Sequence, residues 1–264
     1  ISICLIGAHR HRSPLAHDSL KPLWSDQFQE VGADDRADII LAAHPHDLAA
    51  APISVARRMN SKHAPRIMVL SEEPLWDVLF SPDPLAPIVE VPVFQTGMLP
   101  ARQVNHLNDP LFQFQKLPYY VLTDHRFANA YASRFAQNAR MGANAWAACF
   151  EQREARIAFI AGREVGGHHD RQLKGGQIVG QSAWRSRLAQ SLTGQGALLH
   201  GEGWSHDIAR RDLRNWHLDK LVRFDRRSVM ISAIENTHCT EYISEKLFDA
   251  FAMGSMPVYR ASPD

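Results

Sequence analysis

Cysteine is scarce in this 264-residue chain: Cys4, Cys149 and Cys239 lie far apart and form no CxxC pair. That pattern suits neither a disulfide framework nor a zinc knuckle, and a reducing compartment is the expectation. Charge of one sign is missing too. Against 28 acidic side chains stand 29 basic ones, a formal net charge of +1, so there is no global footprint for nucleic acid or an anionic membrane. Any anion must be met locally. No run reaches the roughly 18 to 20 apolar residues of a membrane span, and no basic-then-apolar leader opens the sequence. The expectation is a soluble, cytoplasmic protein without a transmembrane segment. The chain also holds no Asp-x-Asp triplet, and its glycine-rich stretch at residues 162–180 lacks the dinucleotide pattern GxGxxG.

What the chain does have is 45% hydrophobic residues, enough for real cores and for one large or two ordinary domains. Short apolar runs of strand length occur at residues 1–7 (ISICLIG), 37–43 (ADIILAA), 66–70 (RIMVL) and 119–122 (YYVL), separated by polar stretches long enough for helices. This alternation predicts a parallel sheet covered by helices. Prolines crowd residues 74–110, which read as loops and short strands because each Pro removes a backbone donor. An Ala-rich segment at 128–150 reads as a helix closing a first domain.

The rhythm then restarts, with strands at 156–161 (RIAFIA), 197–200, 228–234 (SVMISAI) and 256–259, and helices at 184–192 and 243–253. The boundary is placed at 152/153, giving domains 1–152 and 153–264. Two successive Rossmann-like α/β domains predict a cleft between them and ligands at the carboxyl ends of the strands.

The most informative segment is 234–246 (IENTHCTEYISEK). Glu235 and Asn236 directly follow an apolar strand, and Lys246 falls near the start of the next helix, a position that favours an anion through early-turn N–H groups, the helix dipole and a full charge. Tyr242 stands three residues before Glu245 and four before Lys246, a spacing that lets one side of the helix start present all three. Ile243, Leu247, Ala250, Phe251 and Gly254 form the expected core stripe. The alternative is a solvated Glu245–Lys246 pair with Glu235 and Asn236 satisfying loop amides.

Glu-Asn-Thr, four residues, Tyr-Ile-Ser-Glu-Lys, continued by Ala250, Gly254, Pro257 and Val258, resembles the donor-binding signature of the α-1,3/4-fucosyltransferases, glycosyltransferase family 10. Where the family usually has Phe before the Glu this chain has Ile234, and Arg260-Ala261 replaces a usual Gly. Residues 184–192 (WRSRLAQSL) are similar to the family's Arg-x-Arg/Lys segment, with Arg185 at the diphosphate-binding position and Arg187 as the weaker candidate. Gly201 to Trp204 (GEGW) is similar to a family turn, and Lys116 to Tyr120 (KLPYY) to a Pro-Tyr-Tyr stretch in bacterial members. Ser71-Glu72-Glu73-Pro74 looks like the Glu-x-Pro of the acceptor side. That resemblance makes Glu72 the base, with Glu73 as fallback; a loop Glu capping a turn is the plain alternative.

The resemblance implies a GT-B architecture with an N-terminal acceptor domain and a C-terminal nucleotide-sugar domain. It implies inverting transfer of L-fucose from GDP-fucose to a hydroxyl of an acceptor glycan, with no cofactor and no metal. The acceptor would be an oligosaccharide such as a lipopolysaccharide or other surface glycan, and the enzyme cytoplasmic, peripheral to the inner membrane at most. Rival readings are a nucleotide-sugar or glycan-binding protein with a degenerate site, a GT-B transferase for another donor, and a metal hydrolase drawing on His9, His11, His44, His46, His168 and His169. A flexible, solvated loop is the plain reading of His168, His169 and Asp170.

Overall fold

The computed structural model describes residues 1–71, 83–93, 97–105, 107–108, 125–204, 212–240 and 242–260. The chain forms two compact units, Ile1–Thr123 and Asp124–Asp264.

In the first unit the strands are β1 (Ser2–Ile6), β2 (Gln29–Glu30), β3 (Ile39–Ala42), β4 (Arg66–Leu70), β5 (Ile88–Val93) and β6 (Gly97–Val104), with helices α1 (Pro45–Ala49) and α2 (Ile53–Met59) between β3 and β4. The sheet order is β2-β1-β3-β4-β6-β5, parallel throughout except that β5 runs antiparallel to β6. Side chains alternate across the sheet and both faces are covered. Cys4, Ile6, Ile40 and Ala42 join Leu48, Val55 and Met59 on the helix side. Ile3, Leu5 and Leu41 pack with Leu15, Phe28 and Met68 on the other.

Between β1 and β2 the polar stretch forms short 3-10 turns rather than an α-helix. Proline recurs there, with Pro22 inside one of the turns. The proline-rich interval holds the β5–β6 hairpin. Pro92 sits on the edge strand β5, and Pro100 lies before the point at which β6 begins to pair with β4, so neither removes a needed ladder donor. The strand expected at 119–122 lies outside the described residues.

The second unit contains α3 (His125–Ala139), α4 (Ala143–Glu151), β7 (Ala155–Ile160), β8 (Gln172–Leu173), β9 (Ile178–Gly180), α5 (Ser182–Ser191), β10 (Ala197–His200), α6 (Trp216–Arg223), β11 (Ser228–Ser232), β12 (Thr237–His238), α7 (Glu245–Ala252) and β13 (Met256–Val258). Its main sheet, β10-β7-β11-β13, is wholly parallel, and β12-β9-β8 form a small antiparallel sheet.

The unit boundary therefore falls earlier than 152/153. The Ala-rich segment belongs to the second unit because its helices pack there: the Tyr131 hydroxyl donates to the Asp249 carboxylate, Asn138 Nδ2 donates to Phe251 O at 2.8 Å, and Arg153 donates to Gly254 O at 3.1 Å. It is also two helices, since Gly142 is extended and caps the second. The core stripe expected on α7 is only partly right. Asp249, Ala250 and Ala252 are its buried residues, and Phe251 is 48% exposed.

Both units share one topological feature. In each, the chain leaves one central strand toward one side of the sheet and leaves its neighbour toward the other, so a switch point lies between β1 and β3 and again between β7 and β11. Crevices at the carboxyl ends of such strands are where open α/β sheets bind ligands.

Candidate functional site

At the β7/β11 switch point the chain leaves β11 through Ala233 and Ile234, both buried, and reaches Glu235, whose side chain is wholly buried. Two helix starts meet this turn. Gln181, the residue before α5, donates its backbone N–H to Asn236 O at 2.8 Å, and Ser182 Oγ lies 3.4 Å from Asn236 Oδ1. On the other side Ser244 caps α7 and accepts from the Lys246 N–H at 3.3 Å. A Ser immediately before Glu-Lys is a capping signal legible in sequence.

Glu235 fastens the loop to α7. Its Oε1 accepts from the Ser244 N–H at 2.8 Å, its Oε2 from the Ser244 hydroxyl at 2.5 Å, and Lys246 Nζ stands 3.5 Å from the same oxygen. Burial pushes the Glu235 carboxyl up, while Lys246 and Ser244 hold it back. Lys246 Nζ also donates to Ser244 Oγ at 3.0 Å and lies 3.7 Å from Glu245 Oε1. Burial alone would raise the Glu245 carboxyl, but Lys246, Lys220 and His217 outweigh it and hold it well below the usual range.

Arg185, on α5, is 5% exposed and reaches the same turn: its Nη1 donates to Ile234 O at 2.7 Å and Asn236 Oδ1 at 3.1 Å. Burial lowers its pKa, opposed chiefly by Glu235. Both Nη1 hydrogens are committed to the loop, which leaves Nη2 and Nε as its remaining donors.

Arg185, Glu235, Asn236, Glu245 and Lys246 are therefore brought together. Arg187 is not, because two residues along a helix turn it to the far side of α5; it is exposed and pairs with Asp170 at 2.7 Å. Tyr242 does not share a helix face with Glu245 and Lys246. The helix begins at Glu245, and Tyr242, in the preceding loop, is 2% exposed. Glu72 and Glu73 lie outside the described residues, as do residues 116–120.

Sequence reasoning missed Gln181 and Ser182. Gln181 is 1% exposed, its Nε2 donates to Arg260 O at 3.3 Å, and its Oε1 is buried without a hydrogen-bond partner among the described residues. The Arg260 guanidinium stacks 4.6 Å from the Trp184 ring centroid. The close turn after β10 is real: Gly201 has φ +127°, and a Cβ there would stand 2.7 Å from the Ala161 carbonyl carbon.

The loop at 162–180 is built, not solvated throughout. His169 is 7% exposed and meets Glu164 at 2.8 Å, and Ser186 Oγ accepts the Glu164 N–H at 2.8 Å. Burial lowers the His169 pKa against the pull of Glu164.

Among known proteins, no family model matches this chain. No curated protein matches it. Among solved structures it is similar to a crystal structure of an α1,3-fucosyltransferase with GDP-fucose, at 13% identity and a TM-score of 0.48, over 100% of this chain and 69% of that one. At that level the likeness identifies neither family nor substrate. No described helix is long and apolar enough to cross a membrane.

Proposed function

We propose that the second unit binds the diphosphate of a nucleotide sugar, GDP-fucose on the sequence reading, and that the chain transfers the sugar to a glycan hydroxyl with inversion. One observation carries this reading: two helix N-termini and two cations meet the Glu235-Asn236 turn after β11, the start of α5 and Arg185 at Asn236, the start of α7 and Lys246 at Glu235. Helix starts supply unpaired N–H groups and positive potential, and the lysine supplies the mobile charge.

Lys246 Nζ stands 3.5 Å from Glu235 and 3.7 Å from Glu245, so its charge is met by two carboxylates. On this reading an incoming diphosphate competes with those carboxylates for Nζ. Lys246 swings to the phosphate while Glu235 keeps its two bonds to Ser244. Arg185 acts by fixing the Ile234–Asn236 turn and by its remaining donors, and Asn236 and Glu245 orient ribose or fucose. Tyr242 braces the loop from the core. Preorganised cations of this kind stabilise charge growing on a leaving diphosphate by several kcal/mol. Attack on the sugar C1 is a single displacement through an oxocarbenium-like transition state, and needs a proton acceptor, for which Glu72 and Glu73 are the sequence's candidates.

Calorimetry with GDP, UDP, ADP and CMP tests the reading. GDP-selective binding that Lys246→Ala weakens at least tenfold supports it. Binding indifferent to Lys246 refutes the donor assignment. Selective binding without turnover toward any glycan favours a binding protein instead.

A further inference from the structure

The second unit also carries an apolar groove of about 580 Å³, which shares α7 with the β11 turn but none of that turn's residues. Phe135 of α3, Trp146 and Phe150 of α4, Phe248 and Phe251 of α7, and Met256 of β13 line it. Alanines and aromatics make α4 an apolar helix, yet none of its residues is buried. Phe251 and Met256 are exposed as well. Apolar surface gathered in this way marks a binding face.

One end of the groove is basic. The Phe135 and Phe248 rings lie 6.5 Å apart by centroid, and about one helical turn further on Asn138 Nδ2 donates to Phe251 O at 2.8 Å, so α3 and α7 flank the groove in step. Beyond them the groove reaches Gly254, where two arginines meet. Arg226 Nη2 donates to Asn138 Oδ1 at 3.1 Å, and Arg226 Cγ stands 3.6 Å from where a Cβ on Gly254 would fall. Arg153 Nη2 donates to Gly254 O at 3.1 Å, and its guanidinium lies 5.6 Å from the Phe150 ring centroid.

Neither arginine forms an ion pair with a carboxylate among the described residues; Asp225 is taken by Arg134 at 2.6 Å. Both turn instead to the Cys149 thiol, a weak acceptor, Arg153 Nη2 at 3.1 Å and Arg226 Nη1 at 3.8 Å. Arg153 Nη1 is buried without a hydrogen-bond partner among the described residues. Burial lowers the Arg153 pKa, the Cys149 sulfur opposes that, and Arg226 adds to it. Arg226 also holds φ +54°, a backbone conformation uncommon outside glycine. Two guanidiniums brought together on one sulfur, with a donor to spare, make a seat for a carboxylate.

We propose that the groove binds a long-chain fatty acid, its chain along the aromatic rings and its carboxylate on Arg153 and Arg226 in place of Cys149 Sγ. A body lined without charge and a single basic end match an amphiphile with one anionic head. Size argues for a small ligand. Ligand pockets measure about 300–1,000 Å³, and eleven described residues line this one, against about 20–30 a side for a stable interface with a protein partner or a second copy. The proposal needs neither the sugar donor nor the first unit.

The test uses the full chain and cis-parinaric acid, a fluorescent fatty acid that takes up energy from nearby tryptophan, here Trp146. At submicellar concentration the wild type should bind it saturably, palmitate should displace it, and the neutral methyl palmitate should compete about tenfold more weakly or worse. Arg153→Met, and Phe251→Glu, which sets a like charge in the groove, should each weaken binding by about tenfold or more, while Arg57→Met on the exposed side of α2 should leave it unchanged. Circular dichroism reports whether each variant is folded, and the comparison of acid with ester on the wild type requires no variant. Absence of saturable binding, equal competition by acid and ester, or wild-type affinity in folded Arg153→Met and Phe251→Glu overturns the proposal. So does a dimer in sedimentation, without fatty acid, that Phe251→Glu converts to monomer, because a second copy then fills the groove.

Discussion

Replacing Glu235 with alanine removes a carboxylate that ties the β11 turn to the start of α7. Glu235 is wholly buried and accepts from the Ser244 N–H at 2.8 Å, the Ser244 hydroxyl at 2.5 Å and Lys246 at 3.5 Å. Hydrogen bonds to a charged group contribute about 1.5–3 kcal/mol each, but these three share one carboxylate and do not simply add. Removing one partner of a buried ion pair costs about 3–5 kcal/mol, a large share of a total stability of about 5–15 kcal/mol. With a urea slope of about 2 kcal/mol/M, Glu235→Ala should lower the midpoint of the second unit by about 2 M. Tryptophan fluorescence reports this, since Trp146, Trp184, Trp204 and Trp216 all belong to that unit.

Glu235→Gln keeps the shape and an acceptor for the Ser244 N–H, and should cost only about 1–2 kcal/mol. The comparison also carries a sign in pH. Burial raises the Glu235 pKa above its ordinary value of 4.5, so its contribution is full below that value and is lost as pH rises through the folded-state pKa. The wild type's advantage over Gln should therefore shrink as pH rises from acid toward neutral. An alanine cost below about 1 kcal/mol, or equal costs for Ala and Gln, would refute the account of Glu235 as the buried clasp of this loop, and an advantage over Gln that grows with pH would refute the raised pKa.

Three further outcomes follow from the same geometry. Lys220→Met strips the buried Asp249 carboxylate of its ammonium partner and leaves it with Tyr131; the variant should lose about 3–5 kcal/mol in urea melts. Burial, opposed by Lys220, already raises the Asp249 pKa, so that deficit should deepen as pH rises from about 4 to 8. Gly7→Ala forces a Cβ into Asp47 at positive φ, and should destabilise the first unit by about 1–3 kcal/mol in urea melts. Arg187→Ala, which removes an exposed pair with Asp170, should leave GDP affinity within about twofold, whereas Arg185→Ala should lower it at least tenfold and loosen the Ile234–Asn236 turn to proteolysis.

Local pattern alone determined much of this protein. The apolar runs that became β1, β3, β4, β7 and β11 were legible because a strand covered on both faces must be largely apolar. The Glu-Asn turn and the Ser-Glu-Lys helix start were legible because capping and dipole chemistry are written within a few residues. Pairing across the fold decided the rest. Strand order is set by long-range registers, so the two switch points, and with them the companionship of His9 with Asp47, 38 residues apart, could not be read from spacing. The sequence offered Lys246 as the cation for an anion, with a solvated Glu245–Lys246 pair as the alternative, and Arg187 as a weaker candidate beside Arg185. Only the folded chain shows the first clasped by Glu235 and Glu245 and the second turned away on the helix, because burial makes charges seek whichever partner the packing brings within reach.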